Sequence, residues 1–588
     1  MRVWLIFFLL FAHASNASVL FDVTKSLYGA KGDGVSDDTH AIQRAIIDAA
    51  KSGGVVYLPP GEYFLTDHLR PVANSHFIIE GESAATVSIV SKPGIVAIYS
   101  GTRLEDHRPV LSASIKKIKF KGSGRDGMKT AISLRGVRGL NSLCEISDCI
   151  FVGTERGMVW LEAFEGSVQF SENFSYRCRS LNIVNSRNIL VSRNKIIFNE
   201  DNAIAISRGC KNVVISDNII ENAGINGIFV GAVLLENRSS DRNLSILAGK
   251  QEGRYTLTSS GSFRFDYDSV GAFYTLSYSD LGYVTCEVEA LIDEYNVEVV
   301  GCFYRANPKT LLGLKTQRFM EGPYSAPENV VITGNVVDGT FGRGIALTEG
   351  PKNVSVTSNV LSRLGIRALP WPGENNKIHV DCLSGEAKVF LKDALDSKYL
   401  RKLEVGDAIL IKPYVNVAEP LVGRVKEIGE DWLRLDEPVY GDYLNAEFYE
   451  VYTTEDGRLP FADGILVNGW FLGESHFEYA ENINLNSNVI SGFSRMGVVI
   501  GSVGGSVEKI MLSDNIIEYE AYAGGFERPY FVFVDGGELM NEMPLRGVLI
   551  SDNMWVSAEK DVIKPFRFDE VNPVTIRAIE KSNNLWLR

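Results

Sequence analysis

The chain has 588 residues, 45% of them apolar, and a formal charge of −14. That charge argues against a nucleic-acid partner, whose phosphates call for a basic surface. After the N-terminus no stretch reaches the ~20 consecutive apolar residues of a transmembrane helix.

Residues 1–17 hold an early Arg2, an apolar run from Val3 to Ala12, and Ser15 and Ala17 at the minus-three and minus-one places of a cleavage site. This predicts a secretory signal, removed on export, and a soluble product that is secreted or periplasmic without membrane attachment. Next come Asp37-Asp38-Thr39, an apolar stripe Ile42, Ala45, Ile46 and Ala49, and the stop Ser52-Gly53-Gly54. An acidic N-cap, a helical period and a glycine terminator predict one amphipathic helix of about three turns, placed to cap the end of a stack.

From there a segment of the form Asn, branched aliphatic, any, branched aliphatic, any, any, Asn recurs. It occurs at Asn188 to Asn194, Asn212 to Asn218, Asn329 to Asn335, Asn353 to Asn359 and Asn482 to Asn488. The step from Asn188 to Asn212 and from Asn329 to Asn353 is the same 24 residues, the mark of stacked coils. Nine residues after the closing asparagine a small residue (Ala203, Gly227, Gly344, Gly497) opens a second apolar strand. Two short strands per coil predict an all-β, right-handed parallel β-helix, with the asparagines stacked at one corner in a structural role.

Two stretches break the rhythm. Residues 232–326 hold no coil; within them Arg254 to Arg305 alternate aromatic and polar residues, as in Phe263-Arg264-Phe265-Asp266-Tyr267, and predict a β-rich insertion, either a small sandwich or extended hairpins. Residues 373–455 carry short strands between Gly and Asp turns and predict a small barrel. The coils then occupy 18–231, 327–372 and 456–588. Seven cysteines, an odd number, leave two readings: buried free thiols, or disulfides with Cys286 and Cys302 as the preferred pair. No close-set Cys and His cluster marks a zinc site, so no metal is assigned.

The run Tyr28-Gly29-Ala30-Lys31-Gly32-Asp33-Gly34-Val35-Ser36-Asp37-Asp38-Thr39, then Ala41-Ile42-Gln43 and Gly53-Gly54-Val55-Val56-Tyr57-Leu58-Pro59-Pro60-Gly61-Glu62-Tyr63, resembles the opening of the pectate lyase superfamily. The resemblance implies a parallel β-helix that acts on polysaccharides. Glu200-Asp201-Asn202-Ala203-Ile204-Ala205-Ile206 is similar to the paired-aspartate strand of its polygalacturonase-like and rhamnogalacturonase-like branch, with Glu200 in place of the first aspartate. Asn226 stands where that branch places a histidine, and the branch's upstream Asn-x-Asp and its Arg-Ile-Lys have no counterpart here.

Coils stack ~4.8 Å apart, so equivalent positions form columns. The two places before the second strand hold Glu155-Arg156, Ser180-Leu181, Asp201-Asn202, Ile225-Asn226 and Gly342-Arg343. A coil near Ala368 comes next in this alignment, then Ala462-Asp463 and Arg495-Met496. Hydrolysis of a glycosidic bond takes two carboxyl groups, which makes Asp201, Glu200, Glu155 and Asp463 the catalytic candidates. Glu155 and Asp201 fall two coils apart, on the order of 9 to 10 Å, and Asp463 four coils from Asp201, roughly 19 Å. Asn226 and Arg343 are candidates to bind sugar hydroxyl or carboxylate groups, and Trp160 and Trp371 to stack on sugar rings. Each has a structural alternative: turn formation for the acids, packing for the aromatics.

The function these residues predict is a secreted enzyme cleaving a polysaccharide or oligosaccharide by hydrolysis without a cofactor. The alternatives are a lyase or uronan epimerase, which would bring Ca²⁺ into play, and a catalytically silent glycan-binding β-helix.

Overall fold

Branched aliphatic residues at alternate positions form strands because one face of each can be buried against the coil axis. The structure, a computed structural model, describes residues 19–231 apart from 102–107, 123–127, 138–139 and 200. It also describes residues 326–364 apart from 341, and elsewhere the strands with their adjoining turns. The predicted signal segment lies outside the described residues. The chain forms two units, Met1–Cys178 with Ser186–Leu190, and Arg179–Asn185 with Val191–Arg588.

In the first unit the helix runs Thr39–Ser52 and buries Ala41, Ile42, Ala45, Ile46 and Ala49. It packs on strands Leu20–Asp22, Val55–Leu58 and His76–Gly81. Gly53, at φ 73°, ends it with its N–H bonded to the Ala49 carbonyl. Asp38 is the N-cap but makes no side-chain cap bond. Its carboxylate instead accepts the N–H groups of Lys31 (2.6 Å) and Gly32 (3.1 Å), so the glycine-rich opening motif is a pinned turn leading into the helix. Parallel strands follow in three sheets, ending in Ser167–Ser171, Phe174–Tyr176 and Gly157–Glu162.

In the second unit three parallel sheets run through the coils: Lys211–Ser216 to Ile579–Ser582, Lys195–Ile197 to Leu585–Leu587, and Leu181–Val184 to Lys564–Phe568. Each coil thus has three strands, not the predicted two. The extra strand starts directly after the closing asparagine, as in Ile219–Ala223, and reads in sequence as the tail of the preceding apolar run. Inward residues stack in register: Val213, Val330, Val354, Ile483, Ile510 and Val548 are all 2% exposed or less.

The asparagines occupy two places, not one corner. The opening ones adopt φ of 51–59° and form an exposed ladder, Asn329 to Asn212, Asn353 to Asn329 and Asn482 to Asn353, at 2.9–3.1 Å. The closing ones turn inward and are buried, each amide donating to the next, from Asn194 through Asn218, Asn335, Asn359 and Asn488 to Asn515 and Asn553, at 2.9–3.0 Å. The left-handed turn falls on the residue before each closing asparagine, for example Asp217 and Ser358, which sends the amide to the interior.

The first insertion is a six-stranded antiparallel sheet from Leu244–Ala248 to Arg318–Tyr324. Within it Cys286 is disulfide-bonded, while Cys144, Cys149, Cys178, Cys210 and Cys382 are buried thiols outside any disulfide. The backbone register sets Thr285 opposite Phe303 and Glu287 opposite Val300, so Cys286 stands across from a bulged stretch containing Cys302. The Cys302 side chain lies outside the described ones. The second insertion is a closed six-stranded barrel from His379–Cys382 to Tyr443–Val451 around Val380, Val389, Ile411, Val425, Leu433 and Ala446. The predicted class, a right-handed parallel β-helix with a capping helix and two β-rich insertions, is what the chain forms.

Two alignments need correction. Leu181 pairs with Ile204, so Cys178-Arg179, not Ser180-Leu181, stands level with Asp201-Asn202. Ile345–Thr348 pairs directly with Asp463–Val467, so the third sheet has no rung near Ala368, a residue outside the described ones. The barrel strands, from His379–Cys382 to Tyr443–Val451, fall in the chain between the second-sheet strand Val360–Leu364 and Asp463–Val467.

Candidate functional site

In the second unit the third-sheet strands begin with a polar row. Outward positions at the strand centres are Asn182, Ala205, Phe229, Ala346, Leu466 and Val499; Asn182 and Phe229 are half-buried and the other four are 3% exposed or less. At the preceding outward position of successive coils stand Asn202, Asn226, Arg343 and Asp463. The small residues Ala203, Gly227 and Gly344 let these coils close up. At Gly227 a Cβ would lie 2.5 Å from Val337 Cγ1 and 2.7 Å from the Gly344 carbonyl.

The row is joined end to end. The Asn202 N–H donates to Asp201 Oδ1 (2.8 Å), Asn226 Nδ2 to Asn202 Oδ1 (2.8 Å), the Arg343 N–H to Asn226 Oδ1 (3.0 Å), and Arg343 Nε to Asp463 Oδ2 (3.4 Å). Asp201 and Asn202 are half-buried, Asn226 is buried, and the Arg343 and Asp463 side chains are 16% and 0% exposed. A carboxylate is stable at zero exposure only with a charge partner, so Asp463 is the anchor of Arg343 and not an acid open to solvent. Asn226 is likewise a rung that joins two coils. Asp201 is the carboxylate at the accessible end. Because no rung intervenes near Ala368, Asp463 lies three rungs from Asp201, roughly 14 Å, not four.

The other candidates fall elsewhere. Glu155 belongs to the first unit, where its carboxylate meets Arg156 Nε at 3.3 Å with the two side chains 27% and 65% exposed. Trp160, also in the first unit, is half-buried and donates its indole N–H to Glu162 Oε2 (3.2 Å). Glu200 and Trp371 lie outside the described residues.

Sequence reasoning passed over Glu349. It follows the strand Ile345–Thr348 at φ 62°, with its N–H bonded to Asn468 Oδ1 at 3.2 Å. Its Oε2 is buried with no hydrogen-bond partner among the described residues, as is the neighbouring Thr348 Oγ1. Desolvation alone pushes its carboxyl up to about 8, so it is a neutral acid at physiological pH. The available signal was positional. Leu347-Thr348-Glu349-Gly350 repeats the turn Ile206-Ser207-Arg208-Gly209, in which a charged residue and then a glycine both take positive φ.

The fold and this row define a β-helix protein with a polar flank on one sheet. Residues 23–229 match the family model described as Rhamnogalacturonase A/epimerase, pectate lyase-like, in line with the resemblance of the opening motif. Plasmin and fibronectin-binding protein A of Streptococcus pneumoniae is 30% identical over 177 residues, which cover 29% of this chain and 23% of that protein. Mannuronan C5-epimerase AlgE1 of Azotobacter vinelandii is 30% identical over 225 residues, covering 31% and 16%. The chain thus spans less than a quarter of the length of either relative. Among solved structures, a hyperthermoactive exopolygalacturonase from Thermotoga maritima aligns over 97% of this chain and 91% of its own, at 10% identity and a TM-score of 0.36.

Proposed function

We propose that this protein is a secreted or periplasmic carbohydrate-active enzyme that cleaves glycosidic bonds of a polysaccharide or oligosaccharide by hydrolysis. The observation that carries this reading is the joined row from Asp201 to Asp463. A buried aspartate anchors Arg343, and the row ends in a half-buried Asp201 whose Oδ1 is oriented by the Asn202 N–H. A purely structural sheet face has no need of a buried ion pair, whose desolvation usually offsets its attraction. In this reading Asp201 acts as base or nucleophile and Glu200, its chain neighbour, supplies the second carboxyl group. Arg343, held from behind by Asp463, meets a hydroxyl or carboxylate of the sugar.

A second reading, uronan epimerisation or lysis, is favoured by the relatives named mannuronan C5-epimerases and by Arg343, which would neutralise a uronate carboxylate during proton removal. Incubation with a panel of plant and algal glycans separates the two. Hydrolysis gives new reducing ends without ultraviolet absorbance, lysis gives an unsaturated absorbing product, and epimerisation leaves chain length unchanged. No change in any glycan would refute both readings.

A further inference from the structure

In the second unit the outward face of the second sheet carries an unbroken apolar stripe. The first outward residue after each closing asparagine is Ile219, then Val336, Val360, Val489, Ile516, Met554 and Leu585 on successive rungs. Ile219, Val336, Val360, Ile516 and Leu585 are 38–53% exposed, and Val489 and Met554 are half-buried. Exposed aliphatic residues scattered singly are ordinary on a strand surface, but a contiguous row marks an interaction site. The outward row of the first sheet is, by contrast, interrupted at Ser355 and Asn484. Six steps of ~4.8 Å make the stripe about 29 Å long.

Carboxylates flank the stripe on both sides. Two residues further along the same strands stand Glu221, Asp338, Ser362, Ser491, Glu518 and Val556. On the other side the left-handed corner residues are Asp217, Gly334, Ser358, Ser487, Asp514 and Asp552. These acids decide how a second copy can lie on the stripe. With a two-fold axis along the stack, each rung meets its own equivalent and the two flanks trade places, which sets Glu221 against Asp217 and Glu518 against Asp514, and like charges in apposition oppose association. With the axis across the stack at Val489, the rungs run in opposite directions and each flank meets itself in reverse. Glu518 then stands opposite Ser362, Asp338 opposite Val556, Asp514 opposite Ser358 and Asp552 opposite Gly334, while Glu221 and Asp217 face the rung of Leu585. Along the stripe itself Ile219 meets Leu585, Val336 meets Met554, Val360 meets Ile516, and Val489 meets its own equivalent.

We infer that this face is the seam of a homodimer, in which two copies pack antiparallel through the second sheet with Val489 at the two-fold axis. The surface is self-complementary, as an isologous contact requires: apolar residues meet apolar residues at the centre, and each carboxylate of the rim meets a hydroxyl, a glycine or an aliphatic position rather than another acid. With its two flanks the stripe covers on the order of 600 Å² per copy, ~1,200 Å² in all, which reaches the range of specific interfaces. The seam lies on a different sheet from the row Asp201 to Asp463 and rests on no reading of the activity.

The test is sedimentation of the purified full chain from about 1 to about 100 μM, a range in which mass action shifts a reversible dimer. The mass is expected to rise to twice that of the single chain. Val360→Lys and Ile516→Glu each bury a lone charge at the seam and should weaken association about 100-fold. Mixed in equal amounts, the two variants should recover the dimer, because in the antiparallel arrangement the new lysine of one copy stands opposite the new glutamate of the other. Thermal transitions check that each variant is folded; one that is not is replaced by Val360→Thr or Ile516→Thr, which should weaken association about tenfold. A single-chain mass at every concentration, or a trimer or larger assembly, overturns the proposal. So does a dimer that survives both single substitutions, since it must use another face. Two monomeric variants that stay monomeric when mixed overturn the antiparallel pairing.

Discussion

Replacing Glu349 by glutamine keeps the side-chain shape and removes its only titration. In the folded chain the carboxyl keeps its proton up to about pH 8 because burial disfavours the charged form, while in the unfolded chain it loses it near the ordinary 4.5. Between those values the unfolded state binds fewer protons than the native one. The Glu349 contribution is therefore fully present below about pH 4.5 and is lost as the pH rises through about 8. At ~1.4 kcal/mol per pKa unit, the loss over the whole window is on the order of 5 kcal/mol. Glu349→Gln cannot lose it, so relative to the native chain the variant should gain stability steadily with pH, whatever constant offset its amide introduces. Guanidinium unfolding of both chains, followed from about pH 5 to about pH 9, measures the difference, in which the other titrating groups cancel. A difference that stays constant across that range would refute the idea that the fold holds this carboxyl protonated.

Asp201→Asn is expected to abolish glycosidic cleavage and leave the thermal transition where it was; retained turnover removes Asp201 from the site. Asp463→Ala should destabilise the protein by roughly 3–5 kcal/mol because it strands Arg343 without its buried counter-charge, and denaturant midpoints read this directly. Asn335→Ala should cost about 1–3 kcal/mol, since it leaves the Ile215 carbonyl and the Asn218 N–H unpaired inside the stack. Asn329→Ala, in the exposed ladder, should cost less than about 1 kcal/mol because water can replace the lost partner. Equal losses for the two asparagine variants would show that the buried and exposed ladders do not differ in the way described.

The spacing of the asparagines and of the apolar pairs between them determined the parallel β-helix without coordinates. A coil must return to the same place every turn, and that geometric demand is written as a fixed interval in the chain. The helix Thr39–Ser52, with its apolar stripe and glycine stop, was legible for the same local reason, as was the barrel from its Gly and Asp turns. Two matters were not local. Whether an asparagine faces solvent, as Asn353 does, or the interior, as Asn359 does, depends on a left-handed turn that the chain takes one residue earlier at Ser358. Which residues share a row depends on where the insertions leave the stack, and this is why Asp463 follows Arg343 by one rung across 120 residues of sequence. Tertiary structure alone decided burial. It turned Asp463 from a candidate acid into the anchor of Arg343 and raised the overlooked Glu349 into the neutral range, because the free energy of a charge is set by what surrounds it and not by its chain neighbours.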